Sequence, residues 1–220
     1  MSLLVLVRHG QASWASEDYD RLSELGERQS RVLGEALEAR GVRPDLLVSG
    51  SMRRQRQTAA AAVSGAGWEG TVTEDPGWDE FDHLSSVQGP VEFPEVPGET
   101  DDERVRRFDA GIDRWASGRY DEEYHESFPA FRRRVDETFQ RTLDRLGPKQ
   151  TAVVFTSNGP VSWLTARLVD GGVPAWARLT QVVVNSSATK VLIGRRGTSL
   201  ISFNDHSHLE AAGPGLITYR

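Results

Sequence analysis

Three consecutive residues near the start of the sequence, Arg8, His9 and Gly10, are of types suited to phosphoryl transfer. A neutral imidazole can attack phosphorus as a nucleophile, and a neighbouring guanidinium can bind two phosphate oxygens at once. Glycine lets the main chain approach an anion closely, because it has no side chain. The tripeptide follows the apolar run 3–7, and ligands of open α/β sheets bind beyond the carboxyl ends of strands. An ordinary polar strand end is the alternative interpretation of these three residues.

The stretch 49–59, with the sequence SGSMRRQRQTA, is a second candidate for phosphate binding. It follows the apolar segment 45–49 and places Arg54 in the first turn of the next predicted helix. At such a position the main-chain N–H groups, the helix dipole and the guanidinium all favour an anion. A solvated basic helix face would explain any single arginine, but two strand ends of this kind favour a shared phosphate pocket.

The elements that must position these residues follow from hydrophobic periodicity. Apolar runs predict buried strands at 3–7, 45–49, 71–74, 151–156, 182–184, 190–194 and 200–203. Apolar residues at helical spacing, with start and stop signals, predict helices at 23–41, 52–63, 100–117, 127–146 and 160–168. The alternation predicts an α/β fold, a three-layer sandwich whose mostly parallel central sheet has helices on both faces.

The length of 220 residues allows one full domain, or one domain with a sizeable insertion. We therefore predict a single domain over 1–220. Many glycines and prolines lie between 65 and 98, and the predicted helix 100–117 follows them. We interpret the segment 65–125 as a helical and loop insertion, or lid, over the active-site end of the sheet.

Composition excludes several classes of protein. The formal net charge is −6, with 26 basic and 32 acidic residues, which disfavours a nucleic-acid partner. The absence of cysteine excludes disulfides, thiolate catalysis and cysteine-ligated metals. The first apolar run is too short for a secretory signal, and no later stretch is long enough to span a membrane. We expect a cytoplasmic protein with no membrane partner.

The sequence resembles the histidine phosphatase superfamily, also called phosphoglycerate mutase-like, over nearly its whole length. The family has Arg-His-Gly after an N-terminal strand, as at 8–10, and a helix start L-[ST]-x-x-G-x-x-Q, as in LSELGERQ at 22–29. Its S-x-x-x-R-x-x-Q-T-A element is matched at 50–59, except that Ser51 stands at a usual proline. Later matches are looser and include Glu80 and the region 126–135.

The resemblance implies a role for each of four residues. His9 would be the nucleophile that becomes a phosphohistidine, and Arg8 and Arg54 would bind the transferring phosphoryl group. Glu80 would protonate the leaving oxygen, although a solvated loop carboxylate is the alternative because acidic neighbours make its alignment ambiguous. The implied chemistry requires no metal, and we expect no cofactor.

The sequence departs from the family at its second active-site histidine. The family has that histidine in a V-x-x-H-G turn after a buried strand, and Asn158 stands at the corresponding position. An amide can donate a hydrogen bond to a phosphoryl oxygen, but it adds no positive charge. Losing one preorganised donor lowers the rate of other enzymes by about 10²–10³, so slow catalysis is expected here.

Five residues are predicted to bind the substrate: Gln11, Trp14, His83, Asn158 and Gly159. Gln11 and Trp14 follow the Arg-His-Gly loop closely, and His83 comes three residues after Glu80. Packing in the core or a lid is the alternative for the tryptophan.

Together these residues predict a metal-independent phosphatase that hydrolyses a small phosphomonoester through a phosphohistidine at His9. A mutase is a second interpretation, disfavoured because the chain lacks the long insertion associated with glycolytic mutases. A catalytically impaired protein that binds a phosphorylated ligand is a third, motivated by Asn158. The expected partner is a small phosphorylated substrate, and an exposed edge strand near the C-terminus could pair two copies in a homodimer.

Overall fold

A computed structural model of the chain describes residues 1–13, 20–81, 98 and 100–219. Its strands are β1 Ser2–Arg8, β2 Leu46–Ser49, β3 Val72–Glu74, β4 Thr151–Thr156, β5 Ala188–Gly194 and β6 Gly197–Asp205. Its helices are α1 Glu24–Ala39, α2 Arg53–Ala66, α3 Asp101–Ala116, α4 Phe128–Asp144, α5 Asn158–Leu168, α6 Gly172–Leu179 and α7 Ser207–Ala212. Two 3₁₀ turns lie at Pro76–Trp78 and Asp121–Glu123.

The strands form one open six-stranded sheet in the order β3-β2-β4-β1-β5-β6. Strands β1 to β4 are parallel, whereas β5 is antiparallel to β1 and β6 is antiparallel to β5. This confirms the predicted α/β class with a mostly parallel sheet. Arg8 is opposite Thr156 and Ser49 is opposite Phe155, so the carboxyl ends of three strands meet at one edge.

The central strand β1 is buried on both faces, as its continuous apolar run predicts. Leu4 and Leu6 pack in the cluster that includes side chains of α4 and α5. Val5 and Val7 point the other way and pack in the cluster that includes side chains of α1 and α2. The alternation along one strand therefore anchors a helical layer on each side of the sheet.

Hydroxyl side chains fix the starts of three helices. Ser23 caps α1, Thr100 caps α3 in a reciprocal capping box with Glu103, and Ser127 caps α4. These starts match the predicted ones. Helix α5 begins earlier than predicted, at Asn158, so Pro160 is its third residue rather than its first. Within the described ranges, no helix combines the length and apolar character needed to cross a bilayer.

The strand predicted at 182–184 is wrong. Val183 and Val184 are buried, but this segment does not pair with the sheet. Three of its main-chain groups bond to side chains instead: Asn204 Oδ1 accepts from Val184 N–H, Asn204 Nδ2–H donates to Val182 O, and Arg8 donates to Val183 O. An apolar run indicates that a segment is buried, but it does not show which groups bond to its main chain. Here side chains supply hydrogen bonds that a neighbouring strand would otherwise make. The interpretation of 65–125 as an insertion stays a prediction.

Helices α1 and α2 approach each other closely enough to require glycine at the contact. A Cβ atom built on Gly34 would lie 2.0 Å from the carbonyl oxygen of Ala62. Glycine in a helix interior ordinarily costs about 1 kcal/mol relative to alanine. Alanine at this position would gain that helix propensity, but its Cβ would collide with the main chain of α2. The steric cost outweighs the gain, because main chain inside a helix cannot move aside as a flexible side chain can.

We predict that Gly34→Ala lowers the free energy of unfolding by about 1–3 kcal/mol, measured by urea denaturation. Ser64→Ala, on the exposed surface of α2, is the control and should change that free energy by less than about 0.5 kcal/mol. Equal or greater stability of Gly34→Ala would show that the two helices can separate without penalty.

Candidate active site

The imidazole of His9 is buried at the carboxyl end of β1, with 6% of the residue exposed. Its Nδ1 lies 2.7 Å from the carbonyl oxygen of Gly10, and its Nε2 lies 3.2 Å from Nε of Arg54. A carbonyl oxygen can only accept and a guanidinium can only donate. The ring proton is therefore on Nδ1, and the nucleophilic lone pair is on Nε2, which faces Arg54.

The surroundings of His9 favour its neutral form. Burial lowers its pKa well below the ordinary 6.5, and the positive charges of Arg54 and Arg8 lower it further. The hydrogen bond to Gly10 opposes these effects only in part. At neutral pH the ring is an uncharged base, which is the form that can attack an electrophile.

The main chain around His9 is held by neutral groups. The His9 N–H donates to Thr156 O at 2.9 Å, which joins β1 to the end of β4. Asn185 Nδ2–H donates to His9 O at 3.1 Å, and the Gly10 N–H donates to Thr58 Oγ1 at 3.0 Å. The loop is thereby fixed from three directions without adding charge near the imidazole.

Arg54 is 4% exposed and lies in the first turn of α2, as predicted. Besides contacting His9, it donates through Nη1 to Asp20 Oδ1 at 2.8 Å. The other oxygen of Asp20 accepts from the Arg53 N–H at 2.7 Å, so one carboxylate both satisfies the start of α2 and orients the guanidinium.

Arg8 is 7% exposed and its guanidinium contacts the C-terminal segment. It donates to the carbonyl oxygen of Val183 and, at 3.0 Å, to that of Tyr219. Its charge still acts on the site, since it lowers the pKa of both His9 and Glu80. The structure thus places Arg8 beside the nucleophile and fixes its side chain through main-chain carbonyls.

The carboxylate of Glu80 is half-buried against the first turn of α5. Its two oxygens lie 3.1 and 3.0 Å from the N–H of Gly159. Burial raises its pKa above the ordinary 4.5, and the Gly159 hydrogen bond and the charge of Arg54 offset this only in part. A raised pKa favours the protonated form of the carboxyl group, which is the form that can donate a proton.

Asp79, the acidic neighbour of Glu80, has a structural role. Both oxygens of Asp79 are bound by Ser51, one by its N–H at 2.6 Å and the other by its hydroxyl at 2.5 Å. Asp79 therefore ties the loop after β3 to the loop after β2. Glu80, by contrast, contacts α5 and is affected by the charges of Arg54 and Arg8.

The side chain of Asn158 is engaged by protein groups. Its Nδ2–H donates to Thr180 O at 2.7 Å, and its Oδ1 accepts from the Ser162 hydroxyl at 2.9 Å. The amide thus joins the start of α5 to the end of α6. The second N–H of its amide is the group that could donate a hydrogen bond to a phosphoryl oxygen, as the sequence analysis expects.

Gln11 lies after β1 and Gly159 lies after β4. The Gln11 side chain accepts from the hydroxyl of Ser23, the cap of α1, at 2.8 Å. Gly159 has no room for a side chain, because an added Cβ would lie 2.2 Å from Glu80 Oε1. Its contact is with the carboxylate rather than with an open pocket. Trp14 and His83 lie outside the described residues.

Asp20 and Asn185 are the site residues that sequence reasoning missed. Asp20 acts on Arg54 from 34 positions away, and Asn185 acts on His9 from 176 positions away. Short polar residues in loops carry no periodic signal. The cue available for Asp20 was its place just before the capped start of α1.

A cavity of about 530 Å³ adjoins these groups. Arg54 and Glu80 line it, together with residues from the loops after β2 and β3 and from the start of α4. The part of the chain that the structure describes contains no group of three or more histidine, aspartate or glutamate side chains placed to hold a metal ion.

The α/β sheet brings a buried histidine, after β1, and an arginine, after β2, together at the carboxyl ends of its parallel strands. The chain belongs to the histidine phosphatase superfamily (branch 1), whose family model matches residues 4–206. This confirms the resemblance inferred from the motifs.

Curated relatives match a shorter stretch. A 2,3-bisphosphoglycerate-dependent phosphoglycerate mutase of Thermobifida fusca (strain YX) is 39% identical over 74 residues, 30% of this chain and 30% of that protein. A phosphoglycerate mutase of Candida albicans (strain SC5314 / ATCC MYA-2876) is 38% identical over 72 residues, 30% of this chain and 29% of that protein. The matches thus span less than a third of either mutase.

Solved structures match over nearly the whole fold. A phosphoserine phosphatase mutant from Entamoeba histolytica, in complex with phosphoserine, is 18% identical with a TM-score of 0.67 and covers 95% of this chain and 100% of that chain. A mycobacterial glucosyl-3-phosphoglycerate phosphatase is 22% identical with a TM-score of 0.65, covering 92% and 98%. At these identities the similarity shows a shared fold.

We predict that His9 is unprotonated at pH 6.5 and that Arg54→Met raises its pKa, because a positive charge beside the ring is removed. Titration of the histidine ring signals by NMR measures both. Arg53→Met, one position away on the exposed surface of the same helix, is the matched control and should leave the His9 signal unchanged. A titration midpoint near the ordinary 6.5 for His9 in the unaltered protein would contradict the conclusion that burial and the two arginines lower its pKa.

Proposed function

We propose that the protein is a phosphatase that hydrolyses a small phosphomonoester through a phosphohistidine at His9, without a metal ion. The observation that carries the proposal is the buried neutral imidazole whose Nε2 faces the Arg54 guanidinium. A protein that only binds phosphate needs the arginines, but it has no use for a nucleophile kept uncharged between them.

The geometry supports a two-step displacement. In the first step Nε2 of His9 attacks phosphorus, the bond from phosphorus to the alcohol oxygen breaks, and Glu80 gives its proton to that oxygen. In the second step water attacks phosphorus, the P–N bond breaks, and the Glu80 carboxylate takes the proton of the water. The products are the alcohol and inorganic phosphate, and both side chains return to their starting forms.

The charge of the transferring group would be balanced by the two arginines. Phosphoryl transfer depends mainly on positioning and electrostatic stabilisation, and buried guanidiniums supply both. Asp20 holds Arg54 at one side of His9, while Val183 O and Tyr219 O hold Arg8. Preorganised cations do not have to reorient as charge develops.

A second candidate function is the binding of a phosphorylated ligand without turnover. It is favoured by Asn158, which cannot add the positive charge of a second active-site histidine and whose amide is bound to Thr180 O and Ser162. His9→Ala separates the two candidates. Under the phosphatase proposal this variant keeps its affinity for inorganic phosphate, measured by calorimetry, and loses all hydrolysis.

We predict that Glu80→Gln lowers kcat/KM, which reports the steps up to departure of the alcohol, by about 10²–10⁴ for alkyl phosphates, since an amide cannot protonate the leaving oxygen. The loss should be much smaller for a nitrophenyl phosphate, whose leaving group needs no proton. The unaltered enzyme loses activity as pH rises through the raised pKa of Glu80, and the variant should lack this decline. Asp79→Asn is the control, and its pH profile should keep the decline. Equal losses for both leaving groups would contradict the role of Glu80 as the acid.

We predict that Asn158→His raises kcat for aryl phosphates by about 10-fold or more, because it restores a cationic donor. Asn158→Ala removes the same amide contacts without adding charge and controls for the disturbance of α5 and α6. Activity that appears only in Asn158→His would favour the binding protein over the phosphatase. Unchanged activity would show that charge at this position does not limit the rate.

A further inference from the structure

We infer that the leaving group of the substrate occupies the cavity beside Glu80 and carries no carboxylate, phosphate or other anionic group. This inference rests on the proposed function and specifies its substrate class, the phosphomonoesters of uncharged alcohols. It follows from where the cavity lies, how its charges are paired, and what the rest of its wall is made of.

The cavity lies where a leaving group must go. Arg54, which would bind the phosphoryl oxygens, and Glu80, which would protonate the leaving oxygen, both line it. An ester held between them extends away from His9 into a space of about 530 Å³. That volume falls in the range of small-molecule sites.

The second arginine of the cavity wall uses four of its five N–H donors in contacts with the protein. Arg134 donates through Nε and Nη2 to the two oxygens of Glu126, at 2.6 and 2.8 Å. Its Nη1 donates to the carbonyl oxygens of Gly77 and Asp79, at 3.0 and 2.9 Å. A bidentate pair of this kind is among the strongest side-chain contacts, so Arg134 braces the wall rather than binding a substrate acid.

The other described residues of the wall include no lysine or arginine. Met52, Pro76, Phe81 and Ala130 are apolar, and the imidazole of His125 is the remaining basic side chain among the described lining residues.

A carboxylate placed in this cavity would therefore meet negative charge without a partner. Asp79, whose carboxylate is bound by Ser51, lines the same wall. Arg134 is already paired with Glu126, and Arg54 is committed to the phosphoryl group, His9 and Asp20. Like charges facing each other in a partly desolvated site strongly disfavour binding. The apolar wall, by contrast, accepts the carbon skeleton of a neutral alcohol.

The test compares substrates that differ in one group. Glycerol 3-phosphate and 3-phosphoglycerate have the same skeleton, with a hydroxymethyl group or a carboxylate at the far end, and 4-carbamoylphenyl and 4-carboxyphenyl phosphate form an aryl pair. We expect kcat/KM to be about 100-fold higher for the neutral member of each pair that is hydrolysed.

A kcat/KM ratio within about threefold between the members of a pair would overturn the inference and leave the phosphatase proposal intact. No hydrolysis of any of the four, at concentrations where product is readily detected, would overturn the phosphatase proposal itself.

A charge placed in the wall tests the location. Ala130→Lys adds a cation to the cavity at the third residue of α4, and Ala130→Met adds a side chain of similar length without charge. We expect the lysine variant to lower the ratio of kcat/KM for the neutral substrate to kcat/KM for the anionic substrate by about 10-fold. The methionine variant should leave this ratio unchanged. An unchanged ratio in both, with the two variants folded and active on the neutral substrates, would show that the leaving group does not enter this cavity.

Discussion

The site depends on one constraint, that the imidazole of His9 stays neutral while buried beside two arginines. Desolvation and both positive charges act in the same direction, and the Nδ1–H bond to Gly10 O fixes the tautomer that leaves Nε2 unprotonated. A nearby carboxylate on Nδ1 would have favoured the charged ring. A main-chain carbonyl orients it with far less effect on its charge.

The neighbouring contacts can be understood from this constraint. Neutral groups, namely Thr58, Thr156 O and Asn185, position the loop that carries His9. The carboxylate of Asp20 is directed to the outer part of Arg54, and Asp79 is occupied by Ser51. Glu80 is the acid that remains near the phosphoryl position, and its raised pKa limits the negative charge it carries there.

The sequence predicted the framework better than the detail. Apolar runs at 3–7 and 151–156 and capping serines such as Ser23 identified strands and helix starts, because burial and capping are local properties. The run at 182–184 failed because Asn204 and Arg8, both distant in sequence, satisfy its main chain. Likewise Asp20 and Asn185 act across the fold, and one sequence does not reveal which loop residues meet.

The place of β1 in the sheet has a consequence for biogenesis. Its neighbours are β4 and β5, both encoded far downstream, so a ribosome making about 5–20 residues per second takes roughly 7–30 s to add β4 after β1. Throughout that interval β1, with its five consecutive apolar residues, lacks its partners. Nascent chains should therefore depend on chaperones that shield extended apolar segments, and rare codons between these strands should lower the yield of native protein.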